Sequence, residues 1–459
     1  MIEQPSTAVD NDASTENARA TASSVSAFAS DPVVSGALAE GEMVVLPDLQ
    51  LATGEPLPDR DRVEPHLAAL LQAEHLNLLV GSGLTNALAH VAEYQGGADM
   101  EAKLPFDDTT IGESVEQHAA LTAKVANRGV ANIEDRLRVA MVVAEGLRYA
   151  GDTERSAAVQ QVIADSLANL RAQVASSESA LLASLDKVAR DDITLRGLLI
   201  SFLGSFAART PTRDRLHIFT TNYDRVIEWG ADMSGLRIID RFVGSLEPIF
   251  RSSRLEVDYH YSPPGTVRDP RHLDGVVRLT KLHGSLDWNW VGNVRQVRRS
   301  PLPFGAEDQT TPTVDLLIYP NSAKDMETTF YPYADLFRDF SAAICRPHAV
   351  LVTYGYGFGD DHVNRIIRDM LTIPSTHLLA ISFDDPGGRI SRFVADHRRL
   401  GQVSLMIGKS MGSLPDLVGT WLPWPSAEFL LHRKAQIYRD RGGSQPLPTA
   451  VDAHLDAPS

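Results

Sequence analysis

Cysteine is almost absent from the sequence, since Cys345 is the only one among 459 residues. A single thiol excludes an intramolecular disulfide framework, and it equally excludes any zinc site built from four cysteines. Such cysteine usage is typical of proteins in the reducing cytosol, so we expect a cytoplasmic location. The chain must therefore be stabilised by a hydrophobic core, for which its length is ample.

Long apolar runs and an excess of basic charge are also missing. No run approaches the ~20 apolar residues needed to cross a bilayer, and the N-terminus lacks the basic start and apolar stretch of a signal peptide. The 43 Lys and Arg against 59 Asp and Glu give a formal net charge of −16. We therefore expect no membrane association and no direct nucleic-acid binding, and any polyanion must enter a locally basic pocket.

Both ends of the chain have few large apolar residues. Residues 1–39 consist mainly of Ala, Ser, Thr, Asp and Val, and residues 439–459 are rich in glycine, proline and polar side chains. Such segments bury too little surface to offset the entropy lost on ordering. We predict flexible tails over both ranges, and one or two helices over residues 412–438.

Between the tails, residues 40–411 alternate between two compositions. Apolar runs that stop at glycine or polar turns predict strands of a parallel sheet. These runs are Leu76–Val80, Leu216–Thr220, Leu236–Ile239, Val277–Leu282, Leu316–Tyr319, Ala349–Thr353, His377–Ile381 and Val403–Ile407. Residues 111–209 lack proline and repeat apolar residues at helical spacing, which predicts three to five inserted helices. The fold class is therefore α/β, a Rossmann-like parallel sheet covered by helices, with an inserted helical module.

A glycine turn follows the first predicted strand and reads GSGLT, from Gly81 to Thr85. Its small residues, Gly81, Ser82 and Gly83, would let backbone N–H groups approach a phosphate at the N-terminus of the next helix. Asn86 stands where a dinucleotide fingerprint has its third glycine, and a tight turn alone explains two glycines. Both interpretations, a phosphate cradle and a simple turn, remain open from these residues.

Three more polar clusters end apolar strands, where open α/β sheets bind ligands. They read TTNYD at residues 220–224, KLHGSLDW at residues 281–288 and GYGFGDDHVN at residues 355–364. Asp224 could instead open a helix, and His283 could be a structural histidine held by hydrogen bonds. The third cluster has three glycines in five residues, which is more than a turn requires.

The order of these four motifs resembles the signature of the bacterial sirtuin-like domains of anti-phage defence systems, over most of Leu76 to about Met411. The resemblance implies that NAD is the substrate and that Asn222, His283 and Asp224 are catalytic. Glycine turns would hold the pyrophosphate and the adenosine side of NAD. The residues implied to bind NAD are Gly81, Ser82, Gly83, Thr85, Thr221, Gly355, Gly357, Asp360 and Asn364.

The sequence departs from the deacylating sirtuins at the zinc module. Those enzymes resemble one another in a four-cysteine zinc ribbon that helps to form the acyl-lysine channel, and one cysteine cannot supply it. The resemblance then implies cleavage of NAD to nicotinamide and ADP-ribose by water, without a metal. The expected function is that of an NAD+ glycohydrolase, the NAD-depleting effector of a defence system.

The resemblance also implies control by a partner, because unregulated loss of NAD would kill the host. Little chain follows the sirtuin-like core and no P-loop motif is present, so a separate HerA-type ATPase is the expected partner, together with homo-oligomerisation. A second hypothesis is a non-catalytic scaffold that binds NAD or ADP-ribose and organises a partner ATPase or nuclease. A nuclease is the least favoured function, because no acidic cluster is typical of a metal site.

Overall fold

A computed structural model describes residues 40–125, 129–190, 193–209, 213–253, 257–261, 271–292, 296–307, 316–318, 331–396 and 400–423. The two predicted tails and all but residues 412–423 of the predicted C-terminal helices lie outside the described residues. None of the described helices is long and apolar enough to cross a membrane.

The centre of the molecule is a nine-stranded sheet. From edge to edge its strands are β2 (Leu49–Leu51), β1 (Met43–Leu46), β18 (Val403–Ile407), β17 (His377–Ser382), β16 (Ala349–Tyr354), β3 (His75–Val80), β6 (His217–Thr220), β12 (Val276–Lys281) and β7 (Arg237–Ile239). The seven strands from β18 to β7 are parallel, and β1 and β2 are antiparallel. This large, mostly parallel sheet flanked by helices confirms the predicted Rossmann-like α/β fold.

Strand β3 explains why the sequence shows apolar runs rather than alternation. Leu78 and Val80 pack into the core on one face of the sheet, and Leu79 packs into the core on the other face. Successive side chains of a strand point to opposite faces, so a strand covered on both sides must be apolar throughout. The same holds for β16, whose six residues are all buried.

Helices cover both faces of the sheet and form the insertion. They are α1 (Arg60–Leu71), α2 (Gly83–Ala92), α3 (Thr109–Val125), α4 (Ile133–Tyr149), α5 (Thr153–Ala183), α6 (Leu195–Ala207), α7 (Val226–Met233), α8 (Tyr333–Ile344), α9 (Asp361–Met370) and α10 (Arg389–Ala395). Short helical segments follow at Lys409–Gly412, Leu414–Asp416 and Leu417–Trp421, and single 3₁₀ turns lie at Pro386–Gly388 and Leu400–Gln402.

The helical insertion consists of α3, α4 and α5, which share a separate hydrophobic core. Its helix α4 begins with a capping box, in which the side chains of Asn132 and Asp135 each accept the other residue's backbone N–H. Helix α6 lies in the predicted insertion, residues 111–209, but Leu198 and Phe202 pack in a sheet core. The insertion therefore ends with α5, and a short hairpin of β4 (Val188–Arg190) and β5 (Ile193–Thr194) separates it from α6.

A second, antiparallel sheet was not predicted from the sequence. Its order is β15 (Leu316–Ile318), β13 (Gly284–Val291), β14 (Gln296–Arg299), β9 (Ile249–Phe250) and β8 (Phe242–Val243), and a separate pair joins β10 (His260–Tyr261) to β11 (Arg271–His272). The predicted parallel strand at Leu316–Tyr319 belongs to this sheet instead, over Leu316–Ile318. The reason is that β13 begins inside the KLHGSLDW motif, at Gly284, and offers an edge with which β15 pairs.

Acid is expected to destabilise the fold through a histidine at the start of β17. Nε2 of His377 and Nε2 of His66 lie 2.9 Å and 3.0 Å from Oγ of Ser404. Burial, and then the neighbouring His66, lower the pKa of His377 to about 4. As the pH falls from about 6.5 to about 4, the histidine is protonated in the unfolded chain before it is protonated in the folded one. The free energy of unfolding is therefore about 2 kcal/mol lower at pH 5 than at neutral pH.

Urea unfolding of the parent chain and of His377→Gln at about pH 7.5 and about pH 5 tests this expectation. The parent should lose more free energy of unfolding on acidification than the variant does. Equal losses in both proteins would assign the acid sensitivity to other groups.

Candidate active site

The four sequence motifs meet at the carboxyl edge of the parallel sheet. From β3 the chain continues to β6 and β12 on one side, whereas β16 lies on the other side of β3. The boundary between β3 and β16 is therefore a topological switch point, where open α/β sheets form their ligand crevices. The turns after β3 and β16 lie at this switch point, and TTNYD follows the neighbouring strand β6.

The two glycine turns are in direct backbone contact at the switch point. The N–H of Gly83 donates to the carbonyl of Gly355 at 3.0 Å. A Cβ atom on Gly83 would lie 2.4 Å from Cα of Gly355, and one on Gly81 would lie 2.4 Å from the carbonyl oxygen of Gly355. Gly355 itself has a φ of +59°. The glycines at these three positions are thus required by the contact between the turns.

Alanine at Gly83 is expected to lower the free energy of unfolding by about 1–3 kcal/mol, because backbone atoms cannot move aside for the new methyl group. Gly146→Ala is the matched control, since that glycine lies in α4 and its new methyl group would meet no neighbouring atom within 4 Å. It should be neutral or stabilising by up to about 1 kcal/mol. Urea unfolding compares the two, and equal stabilities would contradict the close contact.

Asn222 and Asp224 are both tied to the first glycine turn. Nδ2 of Asn222 donates to the carbonyl of Gly81 at 3.1 Å and to Oγ1 of Thr85 at 3.3 Å. Oγ1 of Thr85 in turn donates to Oδ2 of Asp224 at 2.7 Å. Asn222 and Thr85 are 8% and 4% exposed. The threonine hydroxyl therefore connects the two predicted catalytic residues.

Asp224 also has the structural role that the sequence left open. Its Oδ1 accepts the backbone N–H of Val226 at the start of α7, at 3.2 Å. The ammonium group of Lys281, at the end of β12, donates to the carbonyl of Asp224 and to Oε1 of Glu228, the latter at 3.1 Å. Burial raises the pKa of Glu228, and the positive charge of Lys281 opposes this shift. Lys281, which belongs to the neighbouring strand β12, thus holds the loop around Asp224 in place.

The residues that alternate with Asn222 and Asp224 bind the helical insertion. The hydroxyl of Tyr223 donates to Oε1 of Glu134 in α4 at 2.7 Å. Nη2 of Arg225 lies 2.6 Å from Oε2 of Glu178 in α5, and the backbone N–H of Arg225 donates to Oε1 of Glu178 at 2.7 Å. Burial, reinforced by Glu134, raises the pKa of Tyr223 well above its ordinary value. These contacts were not predicted from the sequence. The one indication in the sequence is that each helix carries a glutamate, Glu134 or Glu178, on a side that is otherwise apolar.

His283 faces a second histidine, which belongs to the third polar cluster but was not predicted to be a site residue. Nε2 of His283 and Nε2 of His362 are 3.1 Å apart, and the rings are tilted by 33° with centroids 5.3 Å apart. The two side chains are 5% and 8% exposed. Asp360, which the resemblance assigned to the adenosine side of NAD, lies beside this pair: the three candidate ligand atoms are all within 4.8 Å of one another.

Residues 216–399 match the family model of the SIR2-like domain. The matched range includes β6, β12, β16 and β17, and with them Asn222, His283 and the second glycine turn. The match supports a sirtuin-like domain in this part of the chain. The first glycine turn precedes the match but continues the same sheet. A comparison with curated proteins gives no match.

Asn364 stabilises the second glycine turn from within. Its Nδ2 donates to the carbonyl of Phe358 and its Oδ1 accepts the hydroxyl of Tyr356, both at 3.0 Å. The side chain is 3% exposed. The residue that the resemblance assigned to NAD binding therefore shapes the turn.

The remaining predicted NAD-binding residues lie around the crevice. Ser82 is exposed at the start of α2, and the N–H of Thr221 donates to the carbonyl of Val80 at 3.4 Å. The carbonyl of Gly357 accepts Nε of Arg389 at 2.6 Å. A Cβ atom on Gly357 would lie 3.0 Å from the same guanidinium and 3.3 Å from Cγ of Pro386, so a side chain here would require these neighbours to shift.

Proposed function

We propose that this chain is an NAD+ glycohydrolase that cleaves NAD to nicotinamide and ADP-ribose with water. The observation that carries the proposal is the position of Asn222 beside the first glycine turn, at the switch point where this turn contacts the second glycine turn. His283 follows the neighbouring strand β12. A turn needs the glycines alone, whereas hydrolysis also needs a polar group and a base at the same edge.

Nicotinamide leaves as a neutral ring, so the reaction needs no general acid. The protein must stabilise an oxocarbenium-like ribose and position the attacking water. Both hydrogens of the Asn222 amide have partners in Gly81 and Thr85. Its Oδ1 is therefore the atom that accepts a hydrogen bond from a ribose hydroxyl or from water. Asp224, oriented by Thr85, contributes negative charge near the cation.

His283 acts as the general base in this mechanism. Imidazole has an ordinary pKa of ~6.5 and is largely neutral at cytosolic pH, so it can accept a proton from water. His362 orients the ring of His283, because two nitrogens at 3.1 Å must share a single proton as donor and acceptor.

The glycine turns would bind the two ends of the NAD molecule. The N-terminus of α2, at the end of the first glycine turn, suits the negative pyrophosphate because the helix dipole favours an anion there. The N–H groups of Gly81 and Gly83 donate instead to the carbonyls of Tyr354 and Gly355. The turn that contains Gly355 and Gly357 would hold the adenosine side, while the two glycines themselves make room for Gly83 and Arg389. Asp360 contributes at the reaction end of the crevice instead, since it lies beside His283.

The biological setting is proposed on the resemblance alone. In this proposal the chain is the NAD-depleting effector of an anti-phage defence system and is controlled by a HerA-type ATPase. It is cytoplasmic and homo-oligomeric. No metal takes part in the hydrolysis.

The test is to incubate the purified full chain with NAD, alone and with the candidate ATPase, and to measure the products. We expect nicotinamide and ADP-ribose in equal amounts, because water is the acceptor. NAD binding by calorimetry without any release of nicotinamide in either mixture would contradict hydrolysis and favour the scaffold function. Removal of acetyl groups from a lysine peptide would contradict the proposed acceptor.

A further inference from the structure

We propose that His283, His362 and Asp360 form a binding site for a transition-metal ion, and that Zn²⁺ bound there inhibits the NAD cleavage. The inhibitory role rests on the proposed function, whereas the metal site rests on geometry alone.

The spacing of the two imidazoles fits an ion held between them. In tetrahedral zinc sites the Zn–N distance is about 2.0–2.1 Å, which places two ligand nitrogens about 3.3 Å apart. The two Nε2 atoms are 3.1 Å apart, so only a small side-chain movement admits the ion. A carboxylate oxygen of Asp360 is within 4.8 Å of a ring nitrogen of each histidine. Two histidines and one carboxylate are a ligand set that suits zinc and leaves a fourth position open.

The surroundings hold the ligands in place and give the ion access. The backbone carbonyl of Asp360 accepts the hydroxyl of Tyr356 at 3.3 Å and the N–H of Asn364 at 2.9 Å. The ring of Phe337 packs edge-on against His362, with centroids 4.8 Å apart. Both histidines are buried, whereas Asp360 is partly exposed. Its carboxylate is therefore the group that an ion from solvent meets first.

Inhibition is expected because the ion would bind a ring nitrogen of His283, the proposed general base. Neutral imidazole has one basic lone pair on its two ring nitrogens, so a zinc ion bound to His283 takes the only lone pair with which the ring could accept a proton. The ion also fixes His362, which orients the same ring. Zinc binding and base catalysis are therefore mutually exclusive at His283.

The site is tested with metal-stripped full-length protein. Calorimetry with Zn²⁺ and the visible absorption of bound Co²⁺ should both report one equivalent per chain. His362→Ala should lower the Zn²⁺ affinity by at least ~100-fold and Asp360→Asn by at least ~10-fold. The matched control is His118→Ala, which replaces an exposed histidine of α3 and should bind as the parent does. No stoichiometric binding by the parent, or parent-like affinity in folded His362→Ala, would overturn the site.

The inhibitory role has a separate readout. Zn²⁺ should abolish nicotinamide release by the parent, and a chelator should restore it. Half-inhibition of Asp360→Asn, measured relative to that variant's own zinc-free rate, should need at least ~10-fold more zinc. Stoichiometric binding without inhibition would overturn this role. One bound Co²⁺ in a metal-stripped protein that never cleaves NAD would support the metal site and contradict the proposed function, so the two failures are distinguishable.

Discussion

Alanine in place of His283 or Asn222 is expected to lower NAD cleavage by at least ~100-fold while the chain stays folded. This is the usual scale for the loss of a positioned base or polar group. His283→Ala removes the proton acceptor. Asn222→Ala removes both the Oδ1 acceptor and the amide that donates to the Gly81 carbonyl and to Thr85.

The measurement is the steady-state rate of nicotinamide release, with circular dichroism as the test of folding. His118→Ala and Asn169→Ala are matched controls, because they remove the same side-chain types from the helical insertion, away from the crevice. Both controls should cleave NAD at the parent rate. Near-parent turnover by a folded His283 or Asn222 variant would remove that residue from the mechanism.

Glu178→Ala is expected to lower the free energy of unfolding by about 3–5 kcal/mol, because it leaves the guanidinium of Arg225 buried without its charge partner. The side chains of Glu178 and Arg225 are 1% and 6% exposed. Glu178 also accepts the backbone N–H groups of Arg225 and Gly305. The substitution therefore removes an ion pair and the acceptor of two backbone donors at once.

Urea unfolding measures this effect, and Asp186→Ala provides the comparison. Asp186 also pairs with an arginine, Arg196, at 3.2 Å, but its side chain is 87% exposed. An exposed pair contributes at most about 1 kcal/mol. If the two variants lost similar stability, the Glu178–Arg225 pair would not hold the insertion against the loop.

Much of the central sheet could be predicted because a strand buried on both faces is a continuous apolar run in the sequence. The apolar runs at β3, β6 and β16 stop where polar or glycine turns begin, and those turns carry the site. The sequence could not place β13 in a second sheet, because residues 284–288 were interpreted only as the polar end of β12. Helix α6 was assigned to the insertion because its composition matches the neighbouring helices, although apolar residues around most of its circumference indicate a fully buried helix.

The contacts that the sequence could not predict are those between distant parts of the chain. His283 and His362 are 79 positions apart, and Tyr223 and Glu134 are 89 positions apart. Neither pair has a spacing that a single helix or strand would impose. Glu134 and Glu178 lie in helices where a glutamate is ordinarily solvated, so only the packing of the insertion against the loop gives them buried partners.

The alternation of contacts along residues 222–225 has a consequence for mutational tolerance. A surface loop usually accepts substitutions, because each of its side chains meets solvent on at least one side. Here Asn222 and Asp224 must fit the turn after β3, while Tyr223 and Arg225 must fit two buried glutamates of the insertion. Sequence change at these four positions is therefore restricted to coordinated replacements, in which the loop and its partners on separate elements vary together.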